Sequence, residues 1–160
     1  MIEVQLENDF KRLSKVVIVN GQQTKELYNV NYTLNFADIE RFLNAKYKAA
    51  SEADRKEREN IITQLTDKVG IKQDDLYTRQ LVLQPKYDNT TDLAACVSFV
   101  QIIFRNDQID LHVVIRSQNF DKNFMYDNQT YCICLNNISS FIKKKRGKIY
   151  VKVISLHKII

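Results

Sequence analysis

Few side chains in this sequence could carry a reaction, and their spacing narrows the chemistry further. The two histidines, His112 and His157, lie far apart in the chain. Cys132 and Cys134 fall two positions apart within a segment of helical periodicity, where positions i and i+2 point to different faces. Neither pair has the spacing of a metal site, so no metal ligand is assigned. The sequence has no glycine-rich phosphate loop and no Gly-x-Ser-x-Gly elbow. No spacing of serine, histidine and aspartate points to a hydrolytic triad. The informative segment is 93–128. There Leu93-Ala-Ala-Cys96-Val97-Ser98-Phe99-Val100-Gln101 precedes Arg116-Ser117-Gln118-Asn119, and Asp127 follows. This stretch offers a thiol, an arginine–serine pair for an anion, and a carboxylate acceptor.

Elements must hold these residues in place. Leu6, Phe10, Leu13 and Val17 recur at helical spacing, which predicts a helix over about 3–19, closed by Gly21. Tyr28, Val30, Tyr32 and Leu34 alternate as one face of a strand over about 27–34. Asn35 can cap a helix over about 36–47. Ser51 with Asp54 resembles a capping box for a charged helix over about 52–68. Gln80 to Leu83 reads as a short strand before Pro85. Leu93 to Phe104 and Ile109 to Ser117 flank Arg105-Asn106-Asp107-Gln108 and read as a hairpin. Tyr131, Leu135, Ile138 and Ile142 predict a helix over about 128–145, which makes Asp127 a natural N-cap. Gly147 ends it, and a β-branched strand runs from Lys148 to Ile159. The order predicts an α+β fold, with helices packed on a mostly antiparallel or mixed sheet.

Composition sets the class. The chain has 160 residues, 44% hydrophobic and 27% charged, with only three glycines and one proline. That fits one domain over residues 1–160 and excludes collagen-like and low-complexity chains. No apolar run approaches the ~18 residues of a membrane span, and the acidic, polar start is unlike a signal peptide. Three cysteines without a spaced framework suit reduced thiols, and hence a cytoplasmic setting. High Lys, Asn and Ile content fits an AT-rich genome, a bacteriophage origin included. The charge of +5 is unevenly placed. Seven of the 24 lysines and arginines fall in 143–160 with no acid, so that end carries +7 and the remainder −2. Lys143, Lys144, Lys145, Arg146 and Lys148 form either a solvated helix end or an anion and nucleic-acid patch.

The chain resembles thymidylate synthase and the related pyrimidine-nucleotide (dCMP) hydroxymethylases. Cys96, Phe99, Gln101, Arg116, Ser117 and Asp127 fall on the family pattern without a gap. Asp38-Ile-Glu-Arg-Phe42-Leu43 resembles the segment with the catalytic Glu, Asp38 taking its place. Arg79-Gln80-Leu-Val-Leu resembles the paired-arginine strand that reaches the partner's phosphate. Ser155-Leu156-His157 resembles the segment that holds the sugar hydroxyl. The departures are Val97 for a His, Asn119 for an Asp, Ile159 for a Tyr and Asp38 for a Glu. The sequence also ends at Ile160, just after the sugar segment, so the expected fold is shortened at its C-terminus and lacks the cofactor half.

The resemblance implies a homodimer that binds a pyrimidine nucleotide. Arg79 (from a partner), Arg116 and Ser117 would hold the phosphate, with Gln101, Asn119 and His157 nearby. Asp127 would read the base and leans toward cytosine. If catalysis is retained, Cys96 adds to C6 with Asp38 assisting proton transfer, and a reduced folate supplies the one-carbon unit. That step needs a thiol of lowered pKa, which nearby arginines would provide. One alternative is a protein of the same fold that recognises cytosine in single-stranded DNA, or a nuclease, with the basic end tracking phosphates. Another is a nucleotide binder without turnover. Each residue also has a plainer reading. Cys96 and Gln101 suit a core, Arg116 and Ser117 a surface pair, and Asp38 a first-turn acid. His157 suits an ordinary surface position.

Overall fold

The computed structural model describes residues 1–71, 75, 77–85 and 96–160. The elements run α1 (Ile2–Leu13), β1 (Lys15–Val19), β2 (Gln22–Leu34), α2 (Phe36–Asn44), α3 (Glu52–Ile71), β3 (Val82–Leu83), β4 (Val97–Arg105), β5 (Gln108–Asn119), α4 (Phe124–Ile142) and β6 (Lys145–Ile159). The strands form a single sheet in the order β1-β2-β6-β5-β4-β3. Among the described residues only β5 and β6 pair in parallel, with α4 as their crossover; the other pairs are antiparallel. The fold is thus α+β on a mixed sheet, as the sequence pattern predicts.

The first helix is shorter than its periodicity suggests. Leu6 and Phe10 are buried, but the chain leaves the helix at Ser14 and residues 15–19 form a strand. Val16-Val17-Ile18-Val19 is a β-branched run, which favours a pleated strand. Asn20 and Gly21 both have positive φ, 50° and 76°, and join β1 to β2 in a tight hairpin. Asn-Gly favours this turn, so Gly21 turns a hairpin and does not stop a helix.

The last helix is shifted from the expected span. It starts at Phe124, not 128, and ends at Ile142 with Lys143 in the left-handed region. Asp127 therefore sits inside the first turn and is not the N-cap. Gly147 lies within β6. A Cβ there would meet Asp110 Oδ1 at 1.9 Å and the Ile109 carbonyl at 2.7 Å, so close approach to β5 requires glycine. The predicted start of β4 at Leu93 lies outside the described residues.

The helices bury Phe42, Leu65, Leu135 and Phe124 against Leu34, Val113, Ile115 and Val153 of the sheet. Gln129 ties α4 to the end of α2, donating to the Phe42 and Ala45 carbonyls at 2.9 and 2.6 Å. Arg58 ties α3 to α4. It bonds Thr130 Oγ1 and the Tyr126 carbonyl, each at 2.7 Å, and lies over the Tyr126 ring. Asn35 and Asp38 form a reciprocal capping box at the start of α2, each bond 3.0 Å.

One irregularity crosses the sheet. On β5 the buried series Leu111, Val113, Ile115 gives way to Gln118, and on β6 Val151, Val153 gives way to Leu156. On β2 the same break falls at Asn29, which has φ 53°, between buried Tyr32 and Leu27. β4 shifts register between Val97 and Phe99. Aligned breaks of this kind bend the sheet and re-aim the side chains beyond them. Arg116, Ser117, Asn119, Ser155 and His157 lie at or just beyond the break.

Candidate functional site

Cys96 immediately precedes β4 at this bend. Its carbonyl accepts from the Arg116 N–H at 2.7 Å, which fixes the two residues side by side on neighbouring strands. The residue is exposed, yet the surrounding protein desolvates its thiol. Desolvation, then the Glu57 and Asp127 carboxylates, push the thiol up to about 11, against a smaller pull from Arg116. The expectation that arginines lower this pKa is not met, because burial first, and then the surrounding acids, outweigh the arginine. At neutral pH Cys96 rests as a thiol.

Asp127 comes to the same place from α4. Gln118 Nε2 donates to its Oδ2 at 2.8 Å. Desolvation outweighs that bond, and the carboxyl is raised to about 7, with Glu57 and Asp54 adding to the rise and Arg58 opposing it. Among the described residues, two buried polar atoms lack a hydrogen-bond partner: Gln118 Oε1 and the Tyr131 hydroxyl. Gln118 is the residue that grips Asp127, and Tyr131 lies one helical turn after Asp127 and feels its charge. Buried polar atoms left unpaired in a native fold are costly, so the two mark a point of strain beside Asp127.

Two cross-strand rows adjoin this cluster. Tyr28, Ser155 and Ser117 are register partners in the first, and Glu26, His157 and Asn119 in the second. Directly opposed residues share a face, as do residues two apart on a strand. Gln118, between Ser117 and Asn119, turns instead to Asp127. Asn119 Oδ1 also accepts from the Asp121 and Lys122 amides, each at 3.1 Å, and so shapes the turn into α4. Burial lowers the His157 pKa, with Glu26 pulling the other way.

The remaining sequence candidates lie elsewhere. Asp38 is committed to the α2 capping box and lies 3.9 Å from Arg41. The acids beside Cys96 are Glu57 and Asp54 of α3. Sequence reading missed both, and Gln118 as well. The available signal was the α3 stripe Asp54, Glu57, Arg58, Ile61, Leu65, which continues the buried series into charged residues. Gln101 Nε2 donates to the Arg79 carbonyl at 3.0 Å, and Arg79 is exposed. Gln101 pairs with His112 on the sheet, and His112 stacks on Tyr150 at 4.7 Å.

The basic tract lies at the other end of the strands. Gln108 pairs with Lys145, whereas Asn119 pairs with His157. Twelve residues of strand separate Lys145 from His157, about 40 Å at ~3.3 Å per residue. Within the tract, Lys144 pairs with Asp107 at 2.8 Å, and Arg146 pairs with Glu40. Lys143, Lys145 and Lys148 are exposed. Cys132 and Cys134 are buried free thiols, each pushed up to about 12 by burial. Among the described residues no group of acids, cysteines and histidines could hold a metal, and no helix is long and apolar enough to cross a membrane.

No family model and no curated protein matches this chain. Among solved structures it is similar to the crystal structure of thymidylate synthase from T4 phage. The TM-score is 0.73 over 100% of this chain and 76% of that one, at 10% identity. At that identity the likeness concerns the fold: the chain has a thymidylate-synthase-like fold.

Proposed function

We propose that this chain, a single thymidylate-synthase-like domain, binds a pyrimidine nucleotide at the bend of its sheet. The observation that carries the reading is the Asp127 carboxyl. It is gripped by Gln118, lies beside Cys96, and adjoins two unpartnered polar atoms, Gln118 Oε1 and the Tyr131 hydroxyl. A pyrimidine edge presents donors and acceptors that such a cluster can satisfy. Asp127 accepts from an exocyclic amine, which favours cytosine. Arg116 and Ser117 supply a guanidinium and a hydroxyl for the phosphate. Asn119 and His157 face the sugar. In a C5 transfer Cys96 adds to C6 of the base. Glu57 is then the acid placed beside it for proton transfer, since Asp38 is committed to a helix cap. The residues described account for a nucleotide, and none is assigned to a folate.

The proposal includes a homodimer. The sheet face away from the helices carries the His112–Tyr150 stack, and Gln101 holds the Arg79 segment. Pairing two copies through this face would bring Arg79 of the partner subunit toward each phosphate. A second reading, a nucleotide binder without turnover, is favoured by the protonated Cys96 thiol. The basic tract lies at the far end of the strands, outside the nucleotide site itself.

Calorimetry with cytidine and uridine monophosphates, ribose and deoxyribose forms, tests the reading. Saturable binding that Arg116→Ala weakens about tenfold or more is expected. No heat from any of the four at millimolar concentration overturns it. Cys96→Ala separates the two readings. Turnover lost with binding retained supports transfer, and no turnover in the parent supports the silent binder.

A further inference from the structure

The row of Glu26, His157 and Asn119 contains a carboxylate that neither the base-reading cluster nor the phosphate donors use. Glu26 on β2 pairs with His157 on β6, which pairs with Asn119 on β5. Three strands at ~4.8 Å spacing place these residues across about 10 Å, wide enough to admit a furanose ring. The neighbouring row of Tyr28, Ser155 and Ser117 lies on the same face. Ser155 Oγ donates to Glu26 Oε1. Tyr28 is raised above its ordinary value chiefly by hydrogen bonding to Glu26. Two hydroxyls therefore orient the carboxylate from below, and a carboxylate with about four acceptor sites keeps others for a ligand. Glu26, His157 and Asn119 are all half-buried, so the row is accessible from solvent.

A carboxylate oriented in this way suits a vicinal diol, where each hydroxyl donates to one acceptor. Acidic side chains read the ribose hydroxyls of dinucleotides through the same chemistry. A deoxyribose has a single ring hydroxyl here and leaves one acceptor of Glu26 unused.

Resting on the nucleotide-binding reading above, we propose that Glu26 is a specificity-determining residue that selects a ribonucleotide over a deoxyribonucleotide by accepting from the ribose cis-diol. His157 and Asn119 flank the ring and set its position.

The test compares CMP with dCMP and UMP with dUMP by calorimetry, on the parent chain and on Glu26→Gln. The ribose form is expected to bind about tenfold or more tightly, the range of a hydrogen bond to a charged acceptor. Glu26→Gln should bring the ratio near one, with the ribonucleotide losing more affinity than the deoxyribonucleotide, whose single hydroxyl can still donate to the amide oxygen. The His157 titration, followed by NMR, should move down in Glu26→Gln, because Glu26 raises it. Equal binding of the two sugars by the parent, or tighter binding of the deoxy form, overturns this inference and leaves the nucleotide reading intact. No binding of either form overturns both. The parent's ratio needs no variant, so a poorly folded Glu26→Gln leaves the test decisive.

Discussion

Gln118 on β5 donates a hydrogen bond from Nε2 to Oδ2 of Asp127 on α4, at 2.8 Å. The bond pins the first turn of the crossover helix to the bend of the sheet. It stabilises the ionised carboxylate, yet desolvation and two nearby acids outweigh it.

That imbalance predicts a pH dependence of stability. Asp127 is raised from 3.8 to about 7, so between those values the folded state holds a proton that the unfolded chain has lost. Its contribution is therefore full below pH ~4 and is lost as pH rises through about 7. Asp127→Asn removes the titration and keeps an acceptor for Gln118. Thermal unfolding from pH 4 to 8 should give a flatter profile for the variant, which at pH 8 should be about 1–3 kcal/mol more stable than the parent. Parallel profiles would contradict the placement of Asp127.

Cys96 should alkylate slowly at neutral pH. With a thiol near 11, the thiolate fraction rises about tenfold per pH unit through the accessible range. Iodoacetamide labelling followed by mass spectrometry should show that slope with no plateau below pH 9. Cys132 and Cys134 should stay unlabelled until the chain unfolds. A plateau near pH 7 would indicate an activated thiol and favour turnover.

Tyr32 anchors β2 to α4. Its hydroxyl donates to Asn128 Oδ1 at 2.9 Å, and Asn128 Nδ2 donates to the Phe124 carbonyl at 2.8 Å. Tyr32→Phe leaves a buried amide oxygen unpaired and should cost about 1–3 kcal/mol in denaturant unfolding. Nucleotide affinity should change little, because neither side chain is among the proposed ligand-binding groups.

Gly147 has no room for a side chain. Gly147→Ala drives a methyl into Asp110, which also accepts from the Lys148 amide at 2.7 Å, and toward the Ile109 carbonyl. The backbone contact cannot swing aside, so a loss of about 1–3 kcal/mol is expected. Chemical denaturation of the variant measures it.

Much of the fold is legible in the sequence because period and turn chemistry agree. Alternation marks β2, Asn106-Asp107 turns the β4–β5 hairpin with both residues at positive φ, and Asn35 and Ser51 cap their helices. The β1 strand is hidden because Val17 falls at helical spacing from Leu13, although Asn20-Gly21 signals the hairpin. The site is only half legible. Cys96, Arg116 and Asp127 lie on strand and helix ends whose juxtaposition follows from the fold. Glu57 and Gln118 become visible only when α3 and the bent β5 both pack against α4. Asp38 has the right type, but its carboxylate completes a cap, a local contact that needs no tertiary structure.

The base preference tests the central claim most directly. Affinities for CMP and UMP should be measured on the parent and on Asp127→Asn under one buffer. A base read by Asp127 predicts that the parent prefers cytosine and that the variant shifts the preference toward uracil, because an amide adds a donor for the uracil carbonyl. An unchanged cytosine-to-uracil ratio, or no binding of either nucleotide by the parent, would contradict the assignment of Asp127 as the base-reading residue.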